Sequence, residues 1–250
     1  MTITLITATY NSQSHIASCL QSVIAQDHSQ IEHLIIDGQS SDRTLEIIEG
    51  MNYLQRPGVK LISERDQGIY DALNKGIAMA TSDVVGFLHS DDLLAGPTVI
   101  SDIIKAFGKT DCDGVYGDLV YVREGNTDKV VRYWKSSDFD PKLLKQGWMP
   151  AHPTLFLKRS VYHEQGMFNT DYKIAADYEF ILRVFKERSY SFIYLPKVLV
   201  RMRLGGLSNK GVKNLIQKSK EDLKALKAHD MGGTMVVLRK IFGKITQFGH

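Results

Sequence analysis

Along the first half of the chain, the spacing of apolar residues alternates between two patterns. Short runs of β-branched and other apolar residues, typical of buried strands, are followed by longer segments whose apolar residues recur every three or four positions, as on one face of a helix. This alternation predicts an α/β fold with a mainly parallel central sheet. The predicted strands are Ile3–Thr9, Ile31–Gly38, Val59–Glu64, Asp83–Ser90 and Gly114–Val122, and the predicted helices are Ser14–Gln26, Ser41–Met51, Ile69–Ala80 and Pro97–Lys109.

The second half of the chain is less regular. The stretch "HPTLFLKRSVY" predicts a strand that leads into a helix, and "SFIYLPKVLVRMRL" alternates enough to predict strands. The segment Ala175–Glu187 predicts an amphipathic helix, on which Glu179 is expected to be exposed. From Lys210 onward the pattern is helical and rich in lysine.

Polar residues gather where the predicted parallel strands end. Ligands of such sheets bind outside the carboxyl ends of the strands, so these residues are expected to share one cleft. Two adjacent acids directly after an apolar strand are unfavourable unless water, a donor or a cation compensates their charge. Mg²⁺ and Mn²⁺ prefer oxygen ligands, and the pattern therefore favours a metal site over a solvated turn. The residues at the strand ends are Thr7, Thr9, Asp37, Glu64, Asp66, Asp91 and Asp92.

Several other kinds of site have no motif in this sequence. It contains neither a P-loop nor a glycine-rich dinucleotide fingerprint after the first strand, and it lacks H-E-x-x-H and paired C-x-x-C motifs. Cys19 and Cys112, the two cysteines, are too few for a disulfide framework. No apolar run reaches the ~20 residues that cross a bilayer, and the N-terminal sequence does not resemble a signal peptide. We therefore expect a cytoplasmic protein.

Charge is distributed unevenly along the chain. The formal net charge is +3, but residues 201–250 hold 11 Lys and Arg against 3 Asp and Glu. Such a basic region suggests an anionic partner, for which a membrane surface and nucleic acid are the first candidates. Nucleic acid is the poorer candidate, because neither a recognition motif nor interleaved aromatic residues accompany the charge.

Six segments together resemble a known enzyme family. They are "TATYNS" (Thr7–Ser12), "IIDGQSSDRT" (Ile35–Thr44), "SERDQGIYDALNKGIAMATSD" (Ser63–Asp83), "HSDD" (His89–Asp92), "KIAADYEFILR" (Lys173–Arg183) and "RLGGLS" (Arg203–Ser208). In this order they resemble the motifs of inverting glycosyltransferases of family two, which have the GT-A nucleotide-sugar-binding fold. The resemblance covers about residues 1–208, which we expect to form the glycosyltransferase domain, and leaves residues 209–250 as a basic helical C-terminal extension.

The resemblance implies roles for residues of the predicted cleft. Asp91 and Asp92 stand where the family binds its metal, here Mn²⁺ or Mg²⁺, although His89 replaces the acid that often begins this motif. Asp177 stands where the family carries the general base that removes the proton of the acceptor hydroxyl. The residues expected to bind the nucleotide are Thr7, Thr9, Tyr10, Asp37, Asp66, Asn74 and Asp91.

Three further residues are candidates for contacts with the acceptor or the diphosphate. His152 either belongs to a turn or the core, or contacts the metal, the diphosphate or the acceptor. Trp148 either stacks on a sugar ring or packs in the interior. Arg203 begins the glycine-containing loop that lies near the diphosphate in the family.

These features predict a metal-dependent inverting glycosyltransferase. The expected donor is a nucleotide sugar, with UDP as the expected nucleotide, and the expected acceptor is a saccharide or lipid-linked saccharide in surface polysaccharide biosynthesis. The alternatives are a non-catalytic nucleotide-sugar or polysaccharide-binding module on the same fold, and a nucleotidyltransferase. The segment around Asp177 argues against the first, and the lack of a basic, glycine-rich phosphate loop near the N-terminus argues against the second.

The C-terminal sequence allows two interpretations. One is an ordinary helix docked on the domain with its lysines in solvent. The other is a basic amphipathic helix lying on an anionic bilayer, which would attach the protein at the inner face of the cell membrane. In the second interpretation the apolar face comprises Val236, Val237, Leu238, Ile241, Phe242, Ile245 and Phe248, with Arg239, Lys240 and Lys244 at its margin.

Overall fold

A computed structural model describes residues 1–205 and 212–245 of the 250-residue chain. These residues form a mixed sheet with helices packed on it. The strands are β1 (Ile3–Thr9), β2 (Ile31–Asp37), β3 (Val59–Ser63), β4 (Val84–Phe87), β5 (Leu93–Leu94), β6 (Gly114–Arg123), β7 (Asn126–Trp134), β8 (Phe156–Lys158) and β9 (Phe192–Arg203). The helices are α1 (Ile16–Ile24), α2 (Thr44–Gly50), α3 (Ile69–Met79), α4 (Val99–Lys109), α5 (Arg159–Gln165), α6 (Ala176–Phe185), α7 (Val212–Ala228) and α8 (Thr234–Ile245). Short 3₁₀ helices cover Tyr53–Gln55, Pro141–Gln146 and His152–Thr154.

The first half of the sheet is parallel, as the sequence predicts. Strand β1 lies between β2 and β4, and β3 pairs with the outer edge of β2. Every residue of β1 is buried, because helices cover both faces of this part of the sheet. Thr9 lies beside Asp37, and Asp37 beside Ser63, so the carboxyl ends of three strands meet at one edge.

The second half of the sheet is mixed. Strand β8 runs antiparallel to both β4 and β6, while β6 is parallel to β9 and antiparallel to β7. Strand β7, which the sequence analysis did not predict, forms a hairpin with β6 and is largely exposed. The α/β fold class is confirmed, and the parallel pairing of neighbouring strands ends at β4.

A two-residue strand brings the "HSDD" segment against the far end of the chain. Strand β5 follows Asp92 directly and pairs with β9, with Leu93 opposite Arg201 and Leu94 opposite Val200. This pairing places Arg203, at the end of β9, next to the paired acids.

The C-terminal helices share the core of the α/β domain. Ala225 and Leu226 of α7 and Val236 and Val237 of α8 are buried in the same apolar cluster as residues of α6. The described part of the extension therefore packs on the domain through apolar side chains. No helix among residues 1–205 and 212–245 combines the length and the apolar character needed to cross a bilayer.

Candidate active site

Asp177 lies in the first turn of α6, and a histidine and a tyrosine contact its two carboxylate oxygens. His152 Nδ1 is 3.1 Å from Asp177 Oδ2, and the Tyr70 hydroxyl donates to Asp177 Oδ1 at 3.2 Å. Only 14% of the Asp177 side chain is exposed. These contacts join three distant segments of the chain, namely α3, the 3₁₀ helix at His152–Thr154, and α6.

The surroundings of Asp177 favour its ionised form. Burial by itself raises the pKa of Asp177, but the electrostatic effect of the nearby His152, Lys218 and Lys240 side chains and the Tyr178 main-chain N–H outweigh it and hold the pKa below its usual range. Burial lowers the pKa of His152. Nδ1 of His152 is the ring nitrogen that faces the Asp177 carboxylate. The arrangement provides a carboxylate with a fixed orientation at the edge of the cleft.

A second histidine connects this carboxylate with the paired acids. The rings of His89 and His152 lie edge to face with their centroids 6.0 Å apart. His89 Nδ1 is buried and has no hydrogen-bond partner among the described residues. The "HSDD" segment and the "KIAADYEFILR" segment, which are far apart in sequence, are therefore neighbours through two imidazole rings.

Asp91 and Asp92 have different environments. Asp92 is fully buried, and its Oδ1 accepts a hydrogen bond from the Arg203 main-chain N–H at 3.2 Å. Burial, together with the charge of Asp91, raises the pKa of Asp92 well above its usual range. Asp91 is partly exposed. Of the two acids, Asp91 is therefore the one that solvent and ligands can reach.

The donor atoms around Asp91 fit a metal ion only if a substrate completes its coordination. Among the described residues, no cluster of three or more His, Cys, Asp or Glu side chains is arranged to hold a metal. Mg²⁺ and similar ions, however, are commonly bound by one or two carboxylates together with substrate phosphates. The side chain of Asp91 and the unpartnered Oδ2 of Asp92 supply the hard oxygen atoms that such an ion prefers.

Another group of predicted residues meets at the carboxyl ends of β1 and β2. Asp37 is buried, and its Oδ2 accepts hydrogen bonds from the Ser40 main-chain N–H at 3.0 Å and from the Ser63 hydroxyl at 2.6 Å. A Cβ atom on Gly38 would come within 2.5 Å of Asp66 Oδ2 and 3.3 Å of the Tyr10 ring. The absence of a side chain at Gly38 thus lets Asp66 and the exposed Tyr10 approach the strand end.

Several residues predicted to bind ligands make contacts inside the protein. The Thr7 hydroxyl is buried 2.9 Å from His33 Nε2, and the Asn74 amide binds both main-chain groups of Phe168, at 2.9 and 3.0 Å. Trp148 packs against the rings of Tyr116, Phe139 and Phe185. These contacts do not favour nucleotide binding by Thr7 and Asn74, or sugar stacking by Trp148. Thr9 is also buried, and its hydroxyl has no partner among the described residues.

Arg203 forms hydrogen bonds with both of the paired acids. Its guanidinium donates to the main-chain oxygen of Asp91 at 2.6 Å and to the Ser18 hydroxyl at 3.0 Å, and only 7% of the residue is exposed. These contacts favour a structural role for Arg203 over the predicted contact with a diphosphate. The rest of the glycine-containing loop, residues 206–208, lies outside the described part of the chain.

Sequence reasoning missed the residues that surround Asp177. Tyr70 lies within the quoted "DQGIYDALNKG" segment, but a tyrosine on a helix gave no signal of its own. Glu179, expected to be exposed, is 6% exposed and bonds to Arg183 and to His229, which follows α7 directly. The expectation for Glu179 was wrong because α7 covers this face of α6, and periodicity within α6 does not reveal which helix packs on it.

The sequence of this chain matches a known family. Residues 4–175 match the model of glycosyl transferase family 2. The chain belongs to this family. It is therefore a glycosyltransferase, as the sequence motifs predict.

Curated relatives support this assignment over most of the chain. A PGL/p-HBAD biosynthesis glycosyltransferase of Mycobacterium tuberculosis is 31% identical over 209 residues, which cover 82% of this chain and 78% of that protein. An uncharacterized glycosyltransferase of the same species is 33% identical over 189 residues, covering 73% of this chain and 68% of that protein.

Solved structures show the same fold at low sequence identity. S. aureus TarS in complex with UDP-GlcNAc is similar with a TM-score of 0.72 and 18% identity, over 92% of this chain and 65% of that one. The mannosyltransferase PcManGT from Pyrobaculum calidifontis, in complex with GDP-Man and Mn²⁺, has a TM-score of 0.67 and 17% identity, over 96% of this chain and 69% of that one. The GT-A fold predicted from the motifs is thereby confirmed.

Proposed function

We propose that this glycosyltransferase moves a hexosyl residue from a UDP-linked sugar to a hydroxyl of a saccharide or lipid-linked saccharide, with inversion, in the biosynthesis of a surface polysaccharide. The observation that carries the proposal is the ionised Asp177, which His152 and Tyr70 hold beside the "HSDD" segment. A fixed carboxylate next to a site for a diphosphate is the arrangement that a single displacement at the anomeric carbon requires. The structure of a fold neighbour with UDP-GlcNAc supports the choice of a UDP-linked donor.

In the proposed reaction Asp177 acts on the acceptor. Its carboxylate takes the proton of the acceptor hydroxyl while the acceptor oxygen forms a bond to the anomeric carbon. The bond between the anomeric carbon and the diphosphate oxygen breaks on the opposite face, and UDP leaves with the bonding electron pair. One displacement of this kind inverts the anomeric centre. His152 and Tyr70 keep the carboxylate oriented for the proton transfer.

The leaving diphosphate is proposed to bind near Asp91. A Mn²⁺ or Mg²⁺ ion held by Asp91, with Asp92 behind it, would offset the negative charge that develops on the diphosphate. The nucleotide itself is assigned to the rim formed by Tyr10 and Asp66, beside the buried Asp37. This places the nucleotide at the carboxyl ends of β1 and β2, where ligands of parallel sheets bind.

The proposed reaction predicts a measurable product. The purified full chain is incubated with Mn²⁺, a saccharide acceptor and a panel of UDP-, GDP- and dTDP-sugars, and release of the nucleoside diphosphate is followed. We expect acceptor-dependent release from a UDP-sugar and a product whose anomeric configuration, determined by NMR, is opposite to that of the donor. Binding of UDP-sugars without turnover on any acceptor tested would favour the non-catalytic module, and retention of configuration would contradict the single displacement.

We also propose that α8 binds an anionic membrane surface. The structure divides the apolar face expected from the sequence, because Val236 and Val237 are buried in the core while Met235, Leu238 and Phe242 are 63%, 42% and 62% exposed. The exposed side chains recur at helical spacing, and Arg239 lies next to Leu238. Phe248 and the side chains of Lys244 and Ile245 lie outside the described residues.

The membrane proposal is tested without truncating the chain, because α8 contributes to the core. The native chain and a Leu238→Ser/Phe242→Ser variant are sedimented with vesicles that contain an anionic lipid, at low and high salt. Each basic residue near such a surface contributes about 1 kcal/mol, so binding should weaken as salt rises. We expect the native chain to sediment with the vesicles at low salt and the variant to remain in solution. Equal behaviour of the two proteins would contradict the proposal.

A further inference from the structure

The main chain just before α6 is capped from a distant helix. The carboxylate of Glu221, on α7, accepts hydrogen bonds from the main-chain N–H groups of Lys173, Ile174 and Ala175 at 3.1, 2.9 and 2.9 Å. Glu221 is only 5% exposed. Helix α6 has no side-chain cap of its own at Ala175, although the first N–H groups of a helix need partners. Glu221 therefore caps the main chain from Lys173 to Ala175, directly before the first turn of α6.

Further contacts fix both Glu221 and the segment that it caps. The Gln217 side chain donates to Glu221 Oε1 at 2.8 Å, one turn earlier on α7. On the other side, the Tyr70 hydroxyl donates to the main-chain oxygen of Ile174 at 2.8 Å as well as to Asp177. Residues 173–175 are thus held between α3 and α7, directly before the turn that carries Asp177.

We propose that Glu221 is a positioning residue for Asp177, and that α7 is therefore part of the catalytic unit. The inference rests on the proposed role of Asp177 as the general base. The position of Asp177 follows from the first turn of α6, and Glu221 sets that turn through three main-chain hydrogen bonds. A displacement of about 1 Å in a reacting group is enough to lower the rate of a reaction about a hundredfold.

Glu179 is the matched control that separates a positioning role of Glu221 from a merely structural one. Glu179 is also a buried carboxylate that joins α6 to the residue directly after α7, since it bonds to Arg183 at 3.1 Å and to His229 Nε2 at 2.8 Å. Its side chain makes no hydrogen bond to residues 173–175, although its main-chain N–H bonds to Ala175 as part of the helix. Replacing Glu179 removes a buried charge between the same two helices and leaves the cap in place.

The experiment compares Glu221→Ala, Glu221→Gln and Glu179→Gln in the full chain. Steady-state kinetics with donor and acceptor, UDP affinity by calorimetry and the pH dependence of kcat are measured for each protein. We expect Glu221→Ala to lower kcat about tenfold or more with UDP affinity unchanged within about twofold. Glu221→Gln, whose amide oxygen can still accept hydrogen bonds, should recover part of this loss, and Glu179→Gln should keep kcat within about threefold of the native value.

Two results would overturn the inference. If Glu221→Ala or, should that variant fail to fold, Glu221→Gln shows the kinetics and pH profile of Glu179→Gln, Glu221 is only structural, while an inactive Asp177→Asn variant still supports the proposed function. If Asp177→Asn itself retains transfer, the proposed base is wrong, and the role assigned to Glu221 fails with it.

Discussion

The proposed nucleotide end and the proposed catalytic end of the site are built in different ways. At the nucleotide end, Asp37 bonds to Ser40, three positions away, and to Ser63 on a neighbouring parallel strand. At the catalytic end, Asp177 and the segment before it are held by Tyr70, about a hundred positions earlier, and by Glu221, more than forty positions later. The first arrangement follows from local sequence and strand register, whereas the second exists only after distant helices have packed.

This difference suggests that the two ends respond differently to substitution. A change at the strand ends should act mainly on the affinity for the donor, because the side chains there belong to the proposed nucleotide pocket. A change around Asp177 should act mainly on turnover, because the contacts there orient a reacting group. The predictions below test this separation.

The largest effect is expected for Asp177→Asn. The amide has nearly the shape of the carboxylate but cannot accept the proton of the acceptor hydroxyl, so kcat should fall about a hundredfold or more. UDP affinity should remain within about twofold, since Asp177 lies away from the nucleotide rim. Kinetics and calorimetry on the same preparation check both values. A loss of donor affinity with unchanged kcat would make Asp177 a donor ligand and would break the comparison.

A smaller loss is expected for Asp91→Asn, with Asp92→Asn as its matched control. Asp91 is the accessible acid, so its replacement should lower metal-stimulated turnover about tenfold to a hundredfold and weaken binding of UDP in the presence of Mn²⁺. Burial raises the pKa of Asp92, so an uncharged side chain of the same shape should be tolerated there with a much smaller loss.

Turnover of both variants is measured with Mn²⁺ and with a chelator. Chelator-insensitive, native-like turnover in Asp91→Asn would contradict the metal assignment. A larger loss in Asp92→Asn than in Asp91→Asn would reverse the roles of the two acids.

The elements of the nucleotide end were largely predictable from the sequence. Strand β1 has the predicted bounds Ile3–Thr9, and α3 ends one residue before its predicted end. Periodicity succeeds here because each parallel strand is covered on both faces and each helix has one apolar face. Thr7 shows the limit of the method, because a polar residue near a strand end can still point into the interior, where it finds His33.

The catalytic end was predictable only as a motif. The resemblance of "KIAADYEFILR" to a family segment selected Asp177, but nothing in that segment indicates its partners. For His152 the sequence left several roles open, and it did not predict Tyr70 or Glu221 as partners. Glu179 was expected to be exposed, but it is buried. Each of these side chains is defined by a contact between elements far apart in the chain, and such contacts leave no periodic signal in the sequence.

A shift in pH dependence is expected for His152→Ala. In the native protein the pKa of Asp177 is lowered, so the base stays ionised and turnover should not fall until well below pH 5. Without His152 the ionised form of Asp177 loses the favourable electrostatic contact of the imidazole, while burial still opposes ionisation. The pKa of Asp177 should then rise, and turnover should fall at a higher pH as the solution is acidified.

His152→Asn is the control for that experiment, because its amide nitrogen can take the place of Nδ1. The acid limb of kcat should stay low in His152→Asn and move up in His152→Ala, as measured from about pH 4.5 to 8. Identical profiles in the two variants would show that the contact between residue 152 and Asp177 does not set the pKa of Asp177. A native profile in His152→Ala would remove His152 from the catalytic end altogether.

The smallest effect is expected for Asn74→Ala, and it appears in stability. The Asn74 amide satisfies both the N–H and the carbonyl of Phe168, so its loss should lower the free energy of unfolding by about 1–3 kcal/mol. UDP affinity should not change. Tyr10→Ala should instead weaken UDP binding and leave the free energy of unfolding unchanged, because the exposed ring lies at the proposed nucleotide rim. Denaturant unfolding and calorimetry on both variants check this contrast, and weakened UDP binding with native stability in Asn74→Ala would restore the nucleotide contact that its segment predicts.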